Sequence, residues 1–429
     1  MRRINLFALF IFVIPSALHA QGVQVEVVTD RPDALYQSGE KATFRIQVLR
    51  SKKPVVEGEV NYVFSLDGFK TVTTGKATLF DKPAVVVGTL AEPGFLRCQV
   101  SFGDGKTTIS GVAAAGFDPQ KIKPSLPVPD DFDAFWTEQK KKLAQMPINP
   151  KLTPVESGSK EIESFDLQAD CLGGAPVSGY FARPVGAKPK SLPAILTVHG
   201  AGVRSSSLPS AVGGAKLQML SLDINAHGIP NGKPDDFYTK LNANELKDYP
   251  RKGRESRDTT YFLGMYYRLI RAIDFLASQP EWDGKILIVR GGSQGGGQSI
   301  AAAGLDPRVT FIAAGIAAMC DHSGNAADRV AGWPKLVPLA AGKPEPKSLE
   351  AARYVDCMNL ATRAKASAIL SVGFIDGVCP PTGIYATFNN LSGEKKMVHE
   401  PLMGHSSTPK IGEAFSKGIQ EHVTKMRGK

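Results

Sequence analysis

KILIVRGGSQGGGQSIAAAG, residues 285–304, is the stretch on which the fold turns. Ile286, Leu287, Ile288 and Val289 form a short apolar run, the pattern of a strand buried on both faces. Glycines follow, and the small residues 298–303 read as the start of a helix. Strand, tight glycine turn and helix are the setting in which G-x-S-x-G lifts a serine hydroxyl above a sheet edge. Here Gly291, Gly292, Ser293, Gln294 and Gly295 fill that pattern. The helix N-terminus beneath the serine supplies free N–H groups and a positive dipole end, where an oxyanion would be stabilised. A glycine-rich turn with an incidental serine is the competing explanation, since 43 glycines make the bare pattern easy to meet by chance. The flanking strand and helix favour the chemical reading.

Working outward, buried-strand and helix patterns alternate. Residues 194–198 (AILTV) and 217–222 (LQMLSL) read as strands before the serine, and 311–317, 368–372 and 396–399 as strands after it. Phe262, Tyr266, Leu269, Ile273 and Leu276 recur at helical spacing. Residues 130–143 begin an amphipathic helix with Phe132, Phe135, Trp136 and Leu143 on its apolar side. This is an α/β pattern, a doubly wound, mostly parallel sheet whose active site lies at the C-terminal strand ends. Residues 21–117 differ: 23–27, 42–48 and 95–100 alternate apolar and polar between turn clusters. A small all-β, immunoglobulin-like sandwich is expected there. Its expected part is a spacer or packing module, with carbohydrate binding or a cover over the site as alternatives. Residues 118–129, rich in proline and lysine, read as a linker, and 130–429 as the catalytic domain.

Residues 1–20 read as an export signal. Arg2 and Arg3 open it, residues 6–14 are apolar, Pro15 breaks the run, and SALHA offers a cleavage site before Gln21. The apolar run is too short to span a bilayer, and no later stretch is longer. The expected product is exported, periplasmic or secreted, with no membrane association. Loss of Arg2 and Arg3 takes the formal net charge from +10 to +8. The remaining basic residues are scattered and not interleaved with aromatics, which argues against nucleic-acid recognition. Five cysteines, Cys98, Cys171, Cys320, Cys357 and Cys379, leave at least one thiol unpaired within the chain; a Cys320–Cys357 bridge is conceivable. No metal-binding spacing is present, so no metal or cofactor is expected.

A serine hydroxyl needs a base, and the base an orienting acid. With this elbow the chain order is serine, acid, histidine. His405, in a loop after a strand and before the last helix, is the best base. His322 follows the serine too closely, His399 lies in a strand pattern and His422 in the terminal helix. Asp376, in the loop after strand 368–372, is the best acid, with Asp321 and Asp356 as competitors. Oxyanion donors are expected from the backbone N–H groups of Gln294 and of Ala201, in the loop His199-Gly200-Ala201-Gly202. His199 and His227 are candidates for substrate contact, each with a structural role as the alternative.

From about residue 129 onward the chain resembles the acetyl xylan esterase / cephalosporin-C deacetylase family of carbohydrate esterases. The matching segments are PDDFDAFW (129–136), His199-Gly200, Gly292-Ser293-Gln294-Gly295-Gly296, DGVCPPT (376–382) and Gly404-His405. The resemblance implies an α/β-hydrolase fold, removal of acetyl groups from sugar hydroxyls, and a triad at Ser293, Asp376 and His405. Its partner would be an acetylated carbohydrate; homo-oligomerisation stays open. The chain departs from the family where Asn225-Ala226-His227-Gly228 stands in place of Arg-Gly-Gln. Ala201 replaces an aromatic residue, and Ser406 replaces the glutamate of Gly-His-Glu. An esterase, thioesterase or peptidase on another substrate, and a carbohydrate-binding protein that has lost activity, are the rival readings.

Overall fold

A computed structural model describes residues 22–103, 105 and 107–428. The segment read as an export signal lies outside them. The first part carries strands β1 (Val23–Thr29), β2 (Leu35–Tyr36), β3 (Ala42–Arg50), β4 (Lys53–Pro54), β5 (Glu59–Leu66), β6 (Lys70–Thr78), β7 (Ala84–Gly88), β8 (Gly94–Gly103) and β9 (Thr108–Phe117). They form two sheets: β1, β3, β4 and β7 in one, β2-β9-β8-β5-β6 in the other. Alternate residues point inward, so Phe44, Ile46 and Val48 of one sheet meet Phe64, Leu96, Cys98 and Val100 of the other. Phe95, one residue out of phase with that core, points the other way and is buried among residues of the second domain.

The remainder carries α1 (Phe132–Ala144), β10 (Lys151–Val155), β11 (Ile162–Ala169), β12 (Val177–Pro184), β13 (Leu192–Val198), α2 (Leu208–Lys216), β14 (Leu220–Ile224), α3 (Asp235–Ala243), α4 (Tyr261–Ser278), β15 (Trp282–Gly292), α5 (Gln294–Leu305) and β16 (Phe311–Gly315). After them come the short pair β17 (Leu339–Ala340) and β18 (Lys343–Pro344), then α6 (Pro346–Val355), α7 (Cys357–Ala361), β19 (Ser367–Gly373), α8 (Pro381–Asn390), β20 (Lys395–Glu400) and α9 (Pro409–Arg427). Among the described residues the central sheet has the order β10-β11-β12-β14-β13-β15-β16-β19-β20. It is antiparallel up to the β12–β14 pair and parallel from β14 to β20. Side chains of β15 alternate between the layers. Leu287 and Val289 join the core under α4 and α5, while Ile286 and Ile288 meet Ile411 and Ile419 of α9. Phe262, Tyr266, Leu269, Ile273 and Leu276 are all fully buried on one stripe of α4.

Most boundaries shift from the sequence pattern by one or two residues, and three shifts have a visible cause. The second strand starts at Leu220, because Leu217 caps α2 and Gln218 takes a left-handed φ of 61°. The strand at 311 stops at Gly315, where Ile316 turns left-handed. Helix α5 begins at Gln294, directly after the serine, and its glycines lie inside it rather than in the turn. They are there because of crowding: a Cβ at Gly295 would stand 2.3 Å from the Val198 carbonyl oxygen, and one at Gly297 2.4 Å from that of Ala318.

Pairing brings the C-terminal strand ends into one line. Val198 is in register with Gly291, Gly292 with Gly315, Gly315 with Ser371, and Gly373 with Glu400. The loops that begin at residues 199, 293, 374 and 401 therefore open at the same edge of the sheet.

Candidate active site

Ser293 has φ 56° and ψ −122°, a conformation that side chains seldom adopt. The strain is held by hydrogen bonds on both sides. The Ser293 N–H donates to the Gly315 carbonyl at 2.9 Å, and its own carbonyl accepts from the N–H groups of Gly297 at 3.1 Å and Ala318 at 2.9 Å. A Cβ at Gly291 would lie 2.5 Å from the Val198 carbonyl oxygen, so the residue two before the serine has to be glycine.

His405 stands with Nε2 2.9 Å from Ser293 Oγ and Nδ1 2.8 Å from Asp376 Oδ2. Asp376 is buried, and its other oxygen, Oδ1, accepts from the backbone N–H groups of Val378 at 2.8 Å and Cys379 at 2.9 Å. Those two bonds fix which carboxylate oxygen faces the imidazole. Three residues from three strand-end loops are thus brought into one continuous hydrogen-bonded line that ends at the serine hydroxyl. With Asp376 accepting at Nδ1–H, the neutral ring presents an unprotonated Nε2 to the serine.

The loop after β13 lies across the elbow: a Cβ on Gly200 would be 3.5 Å from the Ser293 Cβ. Gln294, the first residue of α5, has an N–H with no carbonyl partner inside its helix. The Ala201 N–H likewise has no partner among the described residues. His199 accepts the Ala226 N–H at Nε2 (3.2 Å), so its proton sits on Nδ1, which donates to the Gly200 carbonyl at 2.6 Å. His227 donates from Nε2 to the Gly202 carbonyl at 3.1 Å and at Nδ1 faces the Tyr261 hydroxyl at 2.6 Å. Burial holds both rings neutral, pushing His199 down to about 3 and His227 to about 4.

Residues 118–417 match the acetyl xylan esterase (AXE1) family. The chain belongs to that family. It is 31% identical over 386 residues to the acetyl esterase Axe7A of Xylanibacter ruminicola, covering 89% of this chain and 86% of that protein. Its structure is similar to that of an acetyl xylan esterase from Paenibacillus sp. R4, with a TM-score of 0.60 and 27% identity over 71% of this chain and 98% of that one. Acetyl xylan esterase 1 from Thermoanaerobacterium sp. JW/SL YS485 shares the fold at a TM-score of 0.57 and 21% identity, over 71% of this chain and 97% of its own. The protein is therefore a carbohydrate esterase with an α/β-hydrolase fold preceded by a β-rich domain.

The three other histidines downstream of Ser293 in this esterase are occupied elsewhere or sealed off. His399 pairs with the Tyr385 hydroxyl, and His422 lies 3.0 Å from Thr310 Oγ1. His322 is buried with both ring nitrogens unpartnered, and burial pushes it down to about 3. Of the competing acids, Asp356 accepts the backbone N–H groups of Asp321, His322 and Met358, and Asp321 accepts from Ser125 Oγ at 2.6 Å. All five cysteines are free and buried. Cys357 donates to the Gly297 carbonyl at 3.1 Å rather than bridging to Cys320. Asp376, Cys379 and His405 bring potential metal-ligand atoms within 4.8 Å of one another. The Cys379 thiol is pushed well up by burial and by the Asp376 charge, so it stays protonated and is a poor ligand.

Tyr249 is the residue that sequence reasoning missed. It sits in a lysine- and arginine-rich connection between α3 and α4, with no motif around it. Its hydroxyl donates to Gln294 Oε1 at 2.6 Å and accepts the Gly202 N–H at 3.4 Å.

Proposed function

We propose that this esterase removes acetyl groups from sugar hydroxyls through an acyl-enzyme on Ser293. The observation that carries the reading is the unbroken line from Asp376 through His405 to Ser293, in a chain of the acetyl xylan esterase family. Ser293 Oγ bonds to the acetyl carbonyl carbon as its proton passes to His405 Nε2. The N–H groups of Gln294 and Ala201 hold the resulting oxyanion; one such donor typically contributes ~10²–10³ in kcat. The bond to the sugar oxygen then breaks as His405 returns the proton to it. Water repeats both steps, releases acetate and restores the serine. Asp376 keeps the imidazole in the useful tautomer and stabilises its charged form.

The curated relative is named an acetyl esterase, which supports acetyl as the group removed. The reading includes export by residues 1–20, which would place the protein where polymeric sugar esters are found.

The test is acetate release from acetylated xylan, acetylated monosaccharides and 4-nitrophenyl acetate by wild type and Ser293→Ala. Release from the sugar acetates that disappears in the variant is the expected result. Turnover of the small ester alone would keep Ser293 as nucleophile and move the substrate away from sugars. No Ser293-dependent turnover on any ester would overturn the proposal and favour a binding protein.

A further inference from the structure

An oxyanion donor works only if its direction is fixed before the charge develops, because reorientation during the reaction would cancel much of the gain. Ala201 lies in a loop without regular secondary structure, next to Gly202 at φ 114°, a backbone state open to glycine and therefore easily moved. Something outside the loop has to hold it.

The residues on either side of Ala201 are tied. The Gly200 carbonyl accepts from His199 Nδ1 at 2.6 Å and from Arg204 Nη2 at 3.2 Å. The Gly202 N–H donates to the Tyr249 hydroxyl oxygen, and the Gly202 carbonyl accepts from His227 Nε2. Tyr249 then donates its own hydrogen to Gln294 Oε1, the side chain of the other oxyanion donor. Two of these partners, Tyr249 and His227, cluster with Tyr261: the Tyr249 ring meets His227 edge to face at 4.6 Å and Tyr261 at 5.0 Å. One arrangement of protons satisfies the chain. Tyr261 O–H donates to His227 Nδ1, His227 Nε2–H to Gly202 O, Gly202 N–H to Tyr249 Oη, and Tyr249 O–H to Gln294 Oε1.

We infer that Tyr249 and His227 are positioning residues for ester hydrolysis. They act through Gly202 to aim the Ala201 N–H, and Tyr249 links that loop to Gln294 so that the two donors keep a fixed separation. The inference rests on the proposed acyl-enzyme reading and adds to it the side chains that set the oxyanion site. On this account neither residue touches the substrate. His227, weighed from sequence as a substrate contact, is expected to change the rate of the chemical step and leave ground-state binding alone.

Tyr249→Phe removes one oxygen and keeps the ring, so it leaves Gln294 Oε1 and the Gly202 N–H without their shared partner. The measurements are kcat and KM on 4-nitrophenyl acetate, per active site titrated with a fluorophosphonate, and the Ki of an alkyl trifluoromethyl ketone. The hemiketal of that ketone with Ser293 places an oxyanion where the reaction would. The expected result is a fall in kcat of about 10- to 100-fold with KM unchanged, and a rise in Ki by a matching factor. His227→Ala should follow the same line, and His227→Gln, which keeps an N–H donor, should recover most of the loss.

Variants that melt earlier but keep wild-type kcat per titrated site and wild-type Ki would overturn the inference and leave a structural role only. A change confined to KM would overturn it in favour of substrate contact. Ser293→Ala, assayed alongside, separates the two levels. If activity needs Ser293 but ignores Tyr249, this inference alone fails. If activity does not need Ser293, the reading beneath it fails.

Discussion

Phe95, on β8 of the sandwich, meets Phe374 of the α/β domain edge to face at 4.9 Å, two residues before Asp376. Its ring is also 5.6 Å from Tyr385 of α8, the helix that follows the Asp376 loop. Asp67, at the β5–β6 turn, faces Thr382 in the first turn of the same helix, and Lys70 pairs with Asp328 at 3.0 Å. A Cβ on Gly377 would lie 3.7 Å from Arg97 Nη1. The sandwich therefore packs directly behind the loop that carries Asp376. Phe95→Ala should lower the unfolding free energy by about 3–5 kcal/mol, the usual cost of emptying a buried phenylalanine site. Urea unfolding followed by tryptophan fluorescence would measure it. A loss below about 1 kcal/mol would mean the two domains are only loosely joined.

Asp376→Asn should cost far more activity than stability. Asp376 Oδ1 accepts two backbone N–H groups, so the amide oxygen of asparagine is compelled to take that position. The amide NH₂ then faces His405 Nδ1 as a donor, the imidazole proton is driven to Nε2, and the base has no lone pair for Ser293. A fall in kcat of about 10⁴ is expected from a tautomer error of this kind. Kinetics at neutral pH, with a thermal melt to show that the variant folds, decide the point. A loss under tenfold would remove Asp376 from the orienting role.

Much of the fold and the line from Ser293 to Asp376 were legible because each has a local signal. Residues 285–304 carry strand, turn and helix in sequence, and Asp376 and His405 each follow a strand pattern by a few residues. The start of α5 was misjudged because glycine lowers helix propensity. At Gly295 and Gly297 the need for close approach to Val198 and Ala318 overrides that preference. Tyr249 was illegible for a different reason. Its partners, Gly202 and Gln294, are 47 and 45 residues away in sequence, and only the folded sheet brings them together. Phe95 differs again: set beside Leu96, on the face where Arg97 and Gln99 are polar, it breaks the sandwich alternation, and only the folded chain shows the second domain that covers it.

If residues 1–20 direct export, the protein recovered from the periplasm or medium of an expressing bacterium should begin at Gln21, and intact-mass measurement would show it. Arg2 and Arg3, the apolar residues 6–14 and the small residues before Gln21 supply the three parts that processing needs. A chain that keeps Met1 and stays in the cytoplasm would remove the export reading.

His322 offers a test in which the sign of a pH effect is fixed by one residue. The ring is buried beside Phe262, at 6.2 Å, with neither nitrogen paired. Burial lowers its pKa from 6.5 to about 3. Above pH 6.5 the ring is neutral both folded and unfolded, so the only cost is that of two unsatisfied nitrogens, on the order of 1–3 kcal/mol. Below pH 6.5 the unfolded chain takes up a proton that the folded chain refuses. Stability contributed by the neutral ring is therefore lost as pH falls, by about 1.4 kcal/mol per unit until the folded value is reached. His322→Leu removes both the unpaired nitrogens and the titration, while other ionisable groups stay in common with wild type. The variant should be more stable than wild type at pH 7, and its advantage should widen by about 2 kcal/mol at pH 5. Paired urea titrations at the two pH values measure this difference directly. An advantage that is equal at both would mean the folded protein accepts the proton as readily as the unfolded chain, and the ring is not sealed from solvent.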